Sequence, residues 1–145
     1  MSGGEGALDK YWAFLKDNYR QRYSEIAADH IVYPRNTKEL GYHNGFGIAH
    51  GEGDDGLAIW INVQANVITE TAFNSEGCPT CTACGSAATE MLRGKTCAEG
   101  LALTSEDLLS ALGGLPAEDH RCALLASEAL RGAISDYFES SRQGR

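Results

Sequence analysis

The sequence predicts one α+β domain in which a small antiparallel sheet packs against helices. Three patterns carry that expectation. Leu57, Ile59, Ile61 and Val63 alternate with Ala58, Trp60, Asn62 and Gln64, the period-two signature of a half-buried strand. Cys122, Leu125, Ala126, Ala129, Leu130, Ala133, Ile134 and Tyr137 recur at i, i+3, i+4 spacing, the stripe of an amphipathic helix. Leu8, Trp12, Leu15 and Tyr19, continued by Tyr23, Ile26 and Ala27, repeat that spacing near the N-terminus. No internal repeat or linker divides the 145 residues, a length suited to a single domain.

Taken in order, residues 1–6 are rich in Gly and Ser and are expected to be disordered. Residues 7–31 should form one or two helices, ended by Pro34, and the Gly-rich stretch 35–56 reads as an irregular loop. Residues 57–64 and 67–74 form a hairpin across a tight turn at Ala65-Asn66. Glu76-Gly77-Cys78-Pro79 then punctuates. Residues 80–93 form a helix that stops at Gly94, and Pro79 at its first position puts Cys78 at or just before the N-cap. Ser105 and Asp107 head a short helix toward Leu112, broken by Gly113-Gly114. Pro116, Glu118 and Asp119 look like the start of the last helix, with Cys122 in its first turn.

Charge narrows the function. Twelve basic and 20 acidic side chains give a net charge of −8, which repels rather than steers a nucleic-acid backbone. The longest apolar run, Leu57 to Ile61, falls far short of the ~20 residues of a membrane-spanning helix. The N-terminus also lacks the basic-then-apolar layout of a secretory signal, so a soluble, cytoplasmic protein is expected.

The five cysteines are Cys78, Cys81, Cys84, Cys97 and Cys122, an odd number with three in one seven-residue window. That is no disulfide framework; it points to metal or reactive thiolate chemistry, with small buried hydrophobes as the plain alternative. A helical step of three turns 300°, so Cys81 can share a face with Cys78, while Cys84 diverges from Cys78 by about 120°. At helix starts, Cys78 and Cys122 meet the positive end of the helix dipole, which favours their thiolates. The C-x-x-C-x-x-C run also fits iron-sulfur ligation.

These features come in the order of a known family. Tyr23-Ser24-Glu25, Asp29-His30, Pro34-Arg35-Asn36, Glu52-Gly53-Asp54, Ala72-Phe73, Gly77-Cys78, Thr89-Glu90, Gly94-Lys95-Thr96 and Leu115-Pro116 before Cys122 resemble the U-type iron-sulfur cluster assembly scaffolds, the NifU N-terminal domain and IscU/SufU group. The resemblance runs from about Tyr23 to Tyr137 and implies an extension with an amphipathic helix over 1–22, the scaffold domain over 23–138 and a tail over 139–145. It also implies a protein that takes sulfur from a cysteine desulfurase, assembles a [2Fe-2S] cluster and passes it to iron-sulfur acceptor proteins, with zinc as an alternative occupant.

By this resemblance the family's first cysteine falls on Glu52, its aspartate on Asp54, and its second and third cysteines on Cys78 and Cys122. Arg121 stands where a histidine often precedes the third cysteine. Leu115-Pro116-Ala117-Glu118-Asp119 departs from the Leu-Pro-Pro-Val-Lys segment read by the Isc chaperone, which argues against dependence on that chaperone. The expected site is therefore Cys78, Cys81 and Cys122 with Glu52 or Asp54 as an oxygen ligand and His120 in reserve, holding iron, a [2Fe-2S] cluster or zinc. Cys84 and Cys97 are expected to pack in the core. Two other functions fit the thiols: a zinc-dependent sulfur relay for a desulfurase, and a redox- or metal-sensing module.

Overall fold

The computed structural model describes residues 3–144. Two helices, α1 (Gly3–Arg20) and α2 (Glu25–Val32), precede three strands, β1 (Gly45–His50), β2 (Gly56–Gln64) and β3 (Val67–Glu76). Helices α3 (Pro79–Leu92), α4 (Cys97–Leu101) and α5 (Ser105–Ala111) follow. A 3-10 turn at Ala117–Asp119 then leads into α6 (His120–Arg142). This is the α+β architecture expected, with a larger sheet. The stretch read as irregular contains β1, and helix α1 already runs at Gly3, inside the start expected to be disordered. Met1 and Ser2 lie outside the described residues.

The strands pair antiparallel in the order β1-β2-β3. Phe46 faces Trp60, and Trp60 faces Ala72. Ala65 and Asn66, at φ 52° and 65°, make the β2-β3 turn, in which two left-handed residues match the twist of the flanking strands. The inward phase of β2, Leu57, Ile59, Ile61 and Val63, is buried with Phe73 against α3 and α6. There it meets Leu92, Ala126, Leu130 and Ile134, each wholly buried. A fully buried Leu or Ile side chain contributes roughly 1.5–3 kcal/mol.

Helix α6 lies almost in backbone contact with β1. A Cβ on Gly47 would sit 2.1 Å from the Ala129 carbonyl oxygen and 2.4 Å from the Ala133 nitrogen. The Asp136 carboxylate also accepts the Phe46 N–H at 2.9 Å, so the helix satisfies a donor of the edge strand.

The motif residues on α2 and after it serve to hold α2 on α3. Ser86 Oγ accepts the Arg35 N–H at 2.9 Å and bonds His30 Nδ1 at 2.7 Å. Asn36, at φ 61°, donates its side-chain amide to Thr89 Oγ1 at 3.1 Å. Asp29 binds Arg35 and, at 3.1 Å, Lys16 of α1. Burial pushes the His30 imidazole below its usual range, in keeping with a packed histidine rather than a charged one. No described helix is long and apolar enough to cross a membrane.

Candidate metal centre

Three chain segments converge at one end of the sheet. Cys78 is the N-cap of α3, with extended backbone at φ −81° and ψ 160° and Pro79 at the first helical position. Its side chain makes no capping bond, so the sulfur is free to turn elsewhere. The N–H of Cys81 donates to the Cys78 carbonyl at 3.0 Å, and this first turn brings the second thiol beneath the first. Cys122 is the third residue of α6. The sulfurs lie 3.4 Å apart for Cys78 and Cys122, 3.2 Å for Cys81 and Cys122, and 3.8 Å for Cys78 and Cys81.

The fourth group is Asp55. Its carboxylate and the three sulfurs all lie within 4.8 Å of one another. A turn closed by the Gly51 N–H on the Asp55 carbonyl at 2.9 Å joins β1 to β2 and sets Asp55 at its base. Glu52 and Asp54 sit on the exposed part of that turn, outside the cluster. The carboxylate beside the thiols is thus one residue beyond the expected Asp54. Strand alternation is the signal that points to it, because Asp55 shares the inward phase of Leu57, Ile59 and Ile61. The His120 ring is also outside, exposed and bonded through Nε2 to the Leu115 carbonyl at 3.0 Å. Cys84 and Cys97 are fully buried in the core.

Arg121 covers the outer side. Its Nε donates to Asp55 Oδ2 at 2.8 Å and its Nη2 to Cys78 Sγ at 3.5 Å, while Nη1 donates to the Glu118 carbonyl. The bond to Asp55 strengthens the charged form of the guanidinium. Cys122 accepts the Cys81 S–H, and this bond, helped by Thr80, Cys78 and the charge of Arg121, draws its thiol down to about 6 against the effect of burial. Cys81, the donor of that bond and itself buried, is pushed up. The two thiols titrate as one coupled pair, in which the hydrogen bond favours the thiolate on Cys122.

The donor set suits a thiophilic metal. Zinc–sulfur bonds of about 2.3 Å in a tetrahedron put sulfurs about 3.8 Å apart, the spacing of Cys78 and Cys81, while Cys122 lies closer to each, at 3.4 and 3.2 Å. Three thiolates and one carboxylate also make up the four ligands that a [2Fe-2S] cluster needs, with one harder donor than the all-cysteine set. Asp55→Asn is expected to lower zinc affinity at least about tenfold, whereas Glu52→Gln and Asp54→Asn leave it unchanged. Competition against a chromophoric chelator reads all three.

The chain belongs to the family of the NifU-like N terminal domain, which its residues 22–143 match. Among curated relatives, it is 39% identical over 120 residues to the iron-sulfur cluster assembly scaffold protein IscU 1 of Archaeoglobus fulgidus, covering 82% of this chain and 78% of that protein. It is 38% identical over 126 residues to the iron-sulfur cluster assembly scaffold protein IscU of Aquifex aeolicus, covering 85% and 79%. The fold is also that of a NifU-like protein N-terminal domain from Brucella abortus, with a TM-score of 0.66 at 14% identity over 80% of this chain and 94% of that one.

Proposed function

We propose that this protein is an iron-sulfur cluster assembly scaffold that binds iron or a [2Fe-2S] cluster at Cys78, Cys81, Cys122 and Asp55 and hands it to acceptor proteins. The observation that carries the reading is the convergence of three thiols and one carboxylate within 4.8 Å in a chain of this family. Cys81 supplies the third thiolate, since the β1-β2 turn carries no cysteine. The metal, iron or cluster is cargo, and the protein's part is to hold it in a set of thiolates and release it. Sulfur would come from a cysteine desulfurase in the cytoplasm, and the net charge of −8 favours docking on basic partner surfaces. Zinc in the same donors is the alternative occupant, since three thiolates and one carboxylate make a four-ligand tetrahedral set.

Anaerobic reconstitution with iron and sulfide, followed by visible absorption and metal analysis, tests this. Wild type, C84A and C97A are expected to take up a cluster, and C78A, C81A and C122A to lose most of it. Full loading in those three variants would overturn the reading, and zinc alone in the wild type would favour the second occupant.

A further inference from the structure

Thr80 is wholly buried between two of the thiols and a second carboxylate that the site does not use. Its hydroxyl oxygen lies 2.9 Å from Cys78 Sγ, 3.2 Å from Cys122 Sγ and 3.3 Å from Asp119 Oδ1. Asp119 is itself more than nine-tenths buried. Its Oδ1 also approaches Arg121 Nη1 at 3.7 Å, and its Oδ2 has no hydrogen-bond partner among the described residues. A buried carboxylate with an orphaned oxygen is unfavourable, so helix capping is a poor account of it; it makes no capping bond to α6 in any case.

One hydroxyl carries one proton. Once Cys78 and Cys122 bind a metal as thiolates, both sulfurs and Asp119 are acceptors, and only one of the three can have the Thr80 proton at a time. Hydrogen bonds to metal-bound sulfur withdraw charge from it, and such outer contacts tune both affinity and electronic structure. We infer that Thr80 and Asp119 form a positioning pair that sets the electron density on the site sulfurs, Thr80 by donating to them and Asp119 by drawing that proton away. The inference rests on the metal-site reading and goes beyond it, because neither residue is a ligand. It makes an unusual demand: removing the two partners must have opposite effects.

Cobalt(II) added alone under anaerobic conditions is the probe, since its sulfur-to-metal charge-transfer band reports the electron density on the thiolates. Thr80→Val removes the donor and is expected to move the band to lower energy and weaken binding about tenfold. Thr80→Ser keeps the hydroxyl and should restore both, and Thr80→Ala serves in place of valine if that variant folds poorly. Asp119→Leu releases the proton to sulfur and is expected to move the band to higher energy. Asp119→Asn keeps an acceptor oxygen without the charge and should stay near wild type. The double variant T80V/D119L should match T80V alone, because Asp119 acts through Thr80. Shifts of the same sign, additive shifts in the double variant, or D119N behaving as D119L would overturn the pair. Absence of any thiolate band in the wild type would instead overturn the metal site on which the pair depends.

Discussion

Gly77→Ala is expected to weaken zinc binding at least about tenfold although it removes no ligand. Gly77 has φ 111°, a conformation that costs an L-residue on the order of 1–3 kcal/mol. The steric problem is larger. A Cβ there would lie 2.3 Å from Asp55 Oδ1, closer than atoms can approach, and 3.1 Å from the Asp55 Cα, tighter than an ordinary contact. The carboxylate cannot simply swing aside while Arg121 Nε holds its other oxygen at 2.8 Å. Either Asp55 leaves the cluster or the β3-α3 junction shifts and carries Cys78 with it. Chelator competition on G77A, D55N and the double variant separates these routes. If Asp55 is what moves, G77A/D55N binds no more weakly than the weaker single variant. Wild-type affinity in G77A would refute the account.

Gly47→Ala is expected to cost more than about 4 kcal/mol of folding stability, the rare upper tail for a point substitution. The atoms that its Cβ would strike, the Ala129 oxygen, the Ala133 nitrogen and the Gly132 carbonyl carbon, are all backbone of α6 and cannot move by changing rotamer. The helix would have to lift from the strand, opening the packing of Ile61, Ala129 and Ala133. Against a total stability of roughly 5–15 kcal/mol, that loss leaves the fold marginal. Urea unfolding measures it, and Gly41→Ala is the control, since nothing lies within 4 Å of a Cβ there and its change should stay within about 0.5 kcal/mol. A Gly47→Ala midpoint equal to that of Gly41→Ala would rule out the close approach of helix and strand.

The same glycines explain where the sequence was hard to read. Strand β1 contains Gly45 and Gly47, residues of low strand propensity, and its pairing is imposed by β2 and by the helix that needs those positions bare. Local pattern carries no trace of such a tertiary demand. By contrast, the β2-β3 hairpin and the Cys78-Pro79 start of α3 were legible, because alternation, turn chemistry and capping are local. So was the closeness of Cys78 and Cys81, three residues apart across the first turn of α3. The carboxylate that clusters with the thiols lies one residue past the expected Asp54, which was placed by motif spelling. The phase of β2, extended two residues back from Leu57, leads to Asp55. The meeting of α3 with α6, 44 residues apart at Cys78 and Cys122, came from the family resemblance, because neither periodicity nor spacing reports a contact so distant in the chain.

Burial divides the four clustered groups into two kinds. Cys81 and Cys122 are wholly enclosed, while Cys78 is half-buried and Asp55 keeps 11% of its side chain exposed beneath Arg121. On the proposed function this gives traffic a direction: an incoming thiol or chelator would reach the outer pair first, so unloading would begin at Cys78 or Asp55 and end at the inner sulfurs. Arg121 already bonds Asp55 and reaches Cys78, so on that reading either outer group, once released, would stay paired rather than bare.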